Sequence, residues 1–158
     1  ASGWVGILAS MRGIRRLTLP MASRDMAYAC LGLSEWDISP DPAPWMSLDI
    51  EERLVRYFLG QETAFHDVVD VVGTVFQKRA WELARTIPWG ETRSYTWIAY
   101  SMERPKAARA VGQAMRANPV PIIVPCHRII GAKGNLCGYD GSRGVELKRW
   151  LLKLEQGE

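Results

Sequence analysis

The stretch Pro119–Gly131, PVPIIVPCHRIIG, sets Cys126 and His127 side by side directly behind Pro125. A thiolate is a soft, strong nucleophile, but an ordinary thiol is only a few per cent ionised near neutrality. Lowering its pKa by about two units takes roughly 2.7 kcal/mol of preferential stabilisation of the anion. A neighbouring imidazole supplies a base and part of that stabilisation. Neighbours on an extended chain point to opposite faces, so the His127 ring cannot sit on the sulfur if the chain stays extended. Either the chain bends at Cys126 or a bridging water carries the proton. We expect the bend, as a helical turn starting near Cys126 at the end of an apolar strand formed by the β-branched run. The plainer alternatives are a cysteine that merely fills core space and a histidine hydrogen-bonded to backbone.

Other chemistry-bearing residues are sparse. The three cysteines, Cys30, Cys126 and Cys137, form no C-x-x-C, and the two histidines, His66 and His127, are far apart. No metal site is expected from such a set. An odd cysteine count favours a reducing, cytoplasmic setting; a Cys126–Cys137 bridge would disable thiol chemistry there. No apolar run approaches the roughly 18–20 residues of a membrane span. The stretch ASGWVGILAS has no basic residues ahead of its apolar part, so a secretory leader is not expected. With 47% hydrophobic and 23% charged residues, the chain has the composition of a soluble globular protein.

Several elements must position the Cys-His pair. WVGILAS and GIRRLTLP alternate about Met11-Arg12-Gly13 and predict a β-hairpin. A proline-rich loop over 39–45 precedes a helix started at Ser47 and ended by Gly60, with Ile50, Leu54, Tyr57 and Phe58 at helical spacing. Residues 61–74 read as extended. VFQKRAWELARTIP predicts a helix, SYTWIAYSM a short helix capped by Ser94, and KAARAVGQAMRAN a second helix ended by Asn118-Pro119. Two short helices across a few-residue break form a helix-turn-helix pattern. In the final helix Leu147, Trp150, Leu151 and Leu154 are expected to pack, with Arg143, Lys148, Arg149 and Lys153 exposed.

Charge is divided unevenly. From Phe76 onward 14 Lys/Arg stand against 7 Asp/Glu, whereas residues 1–75 hold 6 against 10. A basic C-terminal part joined to an acidic N-terminal part points to a polyanion partner; an uneven solvated surface is the alternative. The second helix of the pair is slim, with Ala107, Ala108, Ala110, Gly112, Ala114 and Ala117, and Arg104, Lys106, Arg109 and Arg116 decorate it. Such a helix either packs closely on a neighbour or enters a DNA groove, its arginines reaching phosphates and bases.

Three blocks in order, IPWGETRSY, ARAVGQAMRANPVPIIVPCHRII and GNLCGY, closely resemble the O6-alkylguanine-DNA alkyltransferases, also called methylated-DNA–protein-cysteine methyltransferases. The likeness spans about residues 74–155; the first 70 or so agree only in general plan. It implies an α/β (α+β) fold: a small N-terminal β-sheet with a helix over 1–72, then a winged helix-turn-helix-like DNA-binding domain over 73–158 that carries the active cysteine. It implies direct damage reversal, in which duplex DNA is bound, an O6-alkylguanine swings out of the stack, and Cys126 takes the alkyl group irreversibly. One protein is spent per lesion, without metal or organic cofactor, by a monomer in the cytoplasm.

Carried over by position, Cys126 resembles the acceptor and His127 and Glu155 its activating partners, while Asn118 resembles the residue bracing the turn. Tyr95 resembles the phenol that contacts the flipped base. Arg109 resembles the side chain that fills the vacated space. Ser94, Arg104, Lys106, Ala110, Gly112 and Arg116 fall on the DNA-binding side of the likeness, and Met115, Ile129, Tyr139 and Asp140 in the pocket. Asp140 departs from the small serine many relatives carry, which bears on substrate range, although its N–H could still donate to O6. Two other readings stand beside this one: a non-catalytic damage-sensing or regulatory DNA-binding protein, and a Cys-His hydrolase, for which no signature is present.

Overall fold

A computed structural model describes residues 3–33, 49–136 and 141–157, without the side chains of 141–143. Strands β1 (Ile7–Ser10) and β2 (Gly13–Leu17) pair antiparallel across a Met11-Arg12 turn, the hairpin that the alternation predicts. Ile14, fully buried on β2, bridges in parallel to Val69. The Ile14 N–H donates to Val68 O and the Asp70 N–H to Ile14 O, each at 2.9 Å, so the extended 61–74 segment continues the sheet.

Helix α1 (Arg24–Leu31) was not anticipated. Its signals are Ser23, whose Oγ accepts from the Met26 N–H at 3.2 Å, and Gly32 at φ 74° as the left-handed stop. Helix α2 (Ile50–Phe58) buries Ile50, Leu54 and Tyr57, the stripe its spacing predicts. The proposed start at Ser47 and the proline-rich loop lie outside the described residues. A bidentate ion pair, Arg53 to Asp67 at 2.7 Å on both oxygens, fastens α2 to the extended segment.

Helix α3 (Val75–Arg85) starts in a capping box between Thr74 and Gln77 and buries Ala80, Trp81 and Ala84. The Trp81 indole N–H donates to Ala114 O at 2.8 Å, tying α3 to the helix-turn-helix. That motif consists of α4 (Tyr95–Ser101), N-capped by Ser94, and α5 (Ala108–Arg116). Its short break holds Glu103 at φ 58°. The two-residue strands β3 (Arg93–Ser94) and β4 (Ile129–Ile130), too short to leave a periodic signal, pair in parallel and bring the start of α4 beside the Cys-His turn. Helix α6 (Gly141–Gln156) closes the fold.

One core cluster runs through both halves, with Ile14, Leu17 and Tyr57 from the first and Trp81, Ile98, Val111, Ile123 and Leu151 from the second. Fully burying each such side chain contributes about 1.5–3 kcal/mol. The Leu17 N–H also donates to Pro119 O at 2.9 Å, joining the hairpin to the loop ahead of Cys126.

Two expectations fail. The run before Cys126 is not a strand but a compact loop: Pro121 and Val124 bridge each other, the Val124 N–H returns to Val120 O, and Ile122 sits at φ 74°. Prolines at 119, 121 and 125 remove the N–H groups a strand would need. Lys148, expected on the solvated face of α6, is fully buried. The deeply buried stripe of α6 is Lys148, Leu151, Leu152 and Glu155, rotated from the apolar stripe of Leu147, Trp150, Leu151 and Leu154. Periodicity assigns charge to solvent, and here two charged groups are paid for by specific partners.

Candidate active site

Cys126 opens a turn of 3₁₀ helix, Cys126–Arg128, so the expected bend is present. The residue is 3% exposed. Asn118, at the end of α5, holds the loop from three directions. Its Nδ2 donates to Val124 O at 2.9 Å and contacts Cys126 Sγ at 3.1 Å, while its Oδ1 accepts from the Val120 N–H at 3.0 Å. An amide donor aimed at the sulfur favours the anion over the thiol.

His127 is fully buried, and its Nε2 lies 2.6 Å from Glu155 Oε1 on α6. Glu155 collects further donors: Arg128 Nε at 2.9 Å, Arg128 Nη2 at 3.0 Å, the Tyr57 hydroxyl at 2.8 Å and the Gly90 N–H at 3.3 Å. Burial opposes the Glu155 charge, but the bonds from His127 and Arg128 outweigh it and hold the carboxyl at about 2. Burial pushes the His127 imidazole below its usual range, with Glu155 offsetting part of that. At neutral pH Glu155 is therefore an anion and His127 a neutral ring. A carboxylate only accepts, so the ring proton sits on Nε2. Nδ1 is buried and has no hydrogen-bond partner among the described residues.

On the other side of the turn Lys148 Nζ donates to the Ile129 carbonyl and, at 3.3 Å, to the Tyr95 hydroxyl. The Tyr95 hydroxyl oxygen accepts this bond. Tyr95 is buried at the start of α4, with Gly112 half-buried nearby, where an added Cβ would stand 3.9 Å from the ring. Met115 and Ile129 are both buried. Ser94 is half-buried, its Oγ accepting from the Trp97 N–H and lying 2.7 Å from Thr96 Oγ1.

Arg104, Lys106, Arg109, Ala110 and Arg116 are exposed, whereas Val111, Ala114 and Met115 turn inward. The small residues of α5 divide: Ala114 is buried against α3, whereas Ala110 faces out beside Arg109. Tyr139 and Asp140 lie outside the described residues. Sequence reasoning overlooked Arg128, Tyr57 and Lys148. Arg128 stood in the P-C-H-R block and Lys148 seven residues before Glu155, but Tyr57 carried no signal beyond its place in a buried stripe.

A helix-turn-helix with a basic outer face, backed by a buried cysteine turn and a His–Glu–Arg cluster, is the architecture of a polyanion-facing protein with a supported thiol. Residues 75–157 match the family described as 6-O-methylguanine DNA methyltransferase, DNA binding domain. The methylated-DNA–protein-cysteine methyltransferase of Mycolicibacterium paratuberculosis is 43% identical over 143 residues, 87% of this chain and 86% of that one. The structure of Mycobacterium tuberculosis OGT in complex with DNA aligns with a TM-score of 0.76 at 40% identity, covering 97% of this chain and 86% of that one. The O6-methylguanine-DNA methyltransferase from Pyrococcus kodakaraensis aligns with a TM-score of 0.64 at 29% identity, over 96% and 90% of the two chains. The chain belongs to the methylated-DNA–protein-cysteine methyltransferase family.

Proposed function

We propose that this chain repairs DNA by direct reversal, moving the alkyl group of O6-alkylguanine in duplex DNA onto Cys126 as a methylated-DNA–[protein]-cysteine S-methyltransferase. The observation that supports this most is the buried turn in which Asn118 Nδ2 contacts Cys126 Sγ at 3.1 Å and His127 Nε2 lies 2.6 Å from Glu155. Family membership supports the same reading.

In this mechanism the thiol proton passes to Nδ1 of His127, directly or through one water, and Glu155 stabilises the imidazolium. The thiolate attacks the sp³ carbon in line. The S–C bond forms, the C–O6 bond breaks, and the electron pair leaves on the guanine. Tyr95, its hydroxyl oxygen held by Lys148, donates toward a ring nitrogen where negative charge develops. The sulfur becomes a thioether that does not return the alkyl group, so each chain acts once.

The sulfur of a residue only 3% exposed is out of reach of a stacked base, and the lesion must leave the duplex. Extrusion costs a few kcal/mol. Arg109, exposed on α5, fills the gap and returns part of that cost. Arg104, Lys106 and Arg116 neutralise phosphates; Ser94, Ala110 and Gly112 let the duplex approach α4 and α5. Met115 and Ile129, both buried, bound the alkyl pocket. Residues 73–158 carry the DNA-binding and transfer groups and residues 1–72 support them, in a monomer acting in the cytoplasm without metal or organic cofactor.

The test is incubation with duplex DNA carrying labelled O6-methylguanine. Label is expected on Cys126 at no more than one mole per mole and absent in Cys126→Ala. DNA binding without label transfer would instead mark a damage sensor.

A further inference from the structure

We propose that Tyr57, from the N-terminal half, is a positioning residue for the transfer reaction: its hydroxyl shares the Glu155 carboxylate that keeps the His127 proton on Nε2 and limits how strongly that carboxylate draws on it. This rests on the reading of Cys126 as the alkyl acceptor. The hydroxyl lies 2.8 Å from Glu155 Oε1 and 3.2 Å from His127 Nε2, and those two atoms are 2.6 Å apart. The three groups close a triangle. Only one arrangement of hydrogens satisfies it. Glu155 as a carboxylate cannot donate, so the phenol proton goes to Oε1 and a phenol lone pair faces Nε2. Both neighbours of Nε2 are then acceptors, and the ring proton must sit between them. Nδ1 is left as the basic nitrogen, the one needed to accept the thiol proton.

Tyr57 is held firmly enough for this task. It is fully buried on α2, with the rings of Phe58, Phe65 and Trp89 edge-on at 5.4, 5.9 and 5.2 Å. The Arg53–Asp67 pair fixes the same helix one turn earlier. The titratable groups around His127 are Glu155 and Lys148 from α6, Arg128 and Cys126 from the turn, and Tyr57 from α2. Among these, Tyr57 is the neutral donor to the carboxylate. Removing its hydroxyl leaves Oε1 to draw harder on the His127 proton. The imidazolium then forms at higher pH in the resting protein, where it blocks acceptance of the thiol proton.

The experiment measures the single-turnover rate of label transfer against pH for the wild-type chain, Tyr57→Phe and Phe65→Leu, with duplex affinity alongside. In Tyr57→Phe the plateau rate falls about three- to tenfold, the size expected for losing one net hydrogen bond, and the acid limb moves to higher pH. Duplex affinity stays within about twofold, since the expected DNA face is on α5 and not on α2. Phe65→Leu loosens the ring packing but keeps the hydroxyl, so its acid limb stays with the wild type. A Tyr57→Phe profile equal to wild type, or a drop in rate with an unmoved limb that Phe65→Leu reproduces, overturns the role. Imidazole nitrogen NMR reads the same ring directly: the Nδ1–H form in the wild-type chain overturns the proposal, and an imidazolium midpoint that is the same in Tyr57→Phe as in the wild type overturns it as well. Wild-type protein that transfers no label refutes the acceptor reading itself, a result distinct from either.

Discussion

Replacing Arg128 with leucine tests how much of the site rests on one buried cation. Its Nε and Nη2 serve the two oxygens of Glu155 at 2.9 and 3.0 Å, and its Nη1 donates to Ile87 O at 2.7 Å. Leucine removes all three and leaves a carboxylate in the core. Breaking a buried pair in this way costs about 3–5 kcal/mol, which in a chain of this size lowers the melting temperature by about 10 °C or more. The effect is pH-dependent with a definite sign. Glu155 is held at about 2 against an ordinary 4.5, a stabilisation of about 3 kcal/mol. That stabilisation is fully present above pH 4.5 and lost as pH falls through about 2. In Arg128→Leu the carboxyl rises and takes up its proton earlier, so the gap between variant and wild type narrows as the solution is acidified. Urea unfolding followed by tryptophan fluorescence at pH 7.5 and again near pH 5 measures both quantities. A loss below about 1 kcal/mol at pH 7.5, or a gap that widens in acid, would refute the reasoning that the ion pair outweighs its own burial cost.

Lys148→Met removes the donor to Tyr95 and to the Ile129 carbonyl; stability falls by about 1–3 kcal/mol. Transfer slows at least tenfold while duplex affinity holds, whereas a solvated lysine on the DNA face would change affinity and its salt dependence. Asn118→Ala withdraws the amide from Sγ and opens the loop, so the pH midpoint for thiol alkylation by iodoacetamide moves upward; an unmoved midpoint contradicts a role for Asn118 in thiolate formation. Arg109→Ala slows transfer from duplex DNA about tenfold or more, in line with losing part of a few kcal/mol of extrusion cost. Transfer from the free alkylated base is unchanged, and weakened binding with an intact transfer step would make Arg109 a phosphate contact alone.

The hairpin and the helices other than α1 were legible because their signals are local. Capping residues such as Ser94, a glycine stop such as Gly60, and apolar spacing such as Ile50–Leu54–Tyr57 each act within a turn or two of chain. The bend at Cys126 was legible for another local reason, the opposite pointing of neighbours on extended chain. Apart from α1, whose Ser23 cap and Gly32 stop are local but were passed over, what failed was set by partners far away in sequence. Lys148 was placed in solvent because its shelter, a carbonyl on β4 and a phenol on α4, is invisible to periodicity. The loop before Cys126 read as a strand because β-branched residues favour extended chain, while its true shape depends on three bonds from one asparagine. Tyr57 reaches the site across 70 residues to His127 and 98 to Glu155, a juxtaposition that only the folded core creates.

Ile122 holds a left-handed backbone, φ 74°, in the loop that delivers the sulfur. A β-branched side chain resists that conformation by roughly 1–3 kcal/mol, so the segment does not choose its shape by itself. It is held there by Asn118, by the hairpin bond to Pro119 and by its own burial. A chain still emerging from synthesis, or one half-unfolded, therefore carries Cys126 as an ordinary, unremarkable thiol. On the proposed transfer reading, the activation of this thiol arrives with the finished fold and departs with it, which keeps an acceptor from being spent on stray alkylating agents before it has a duplex to read.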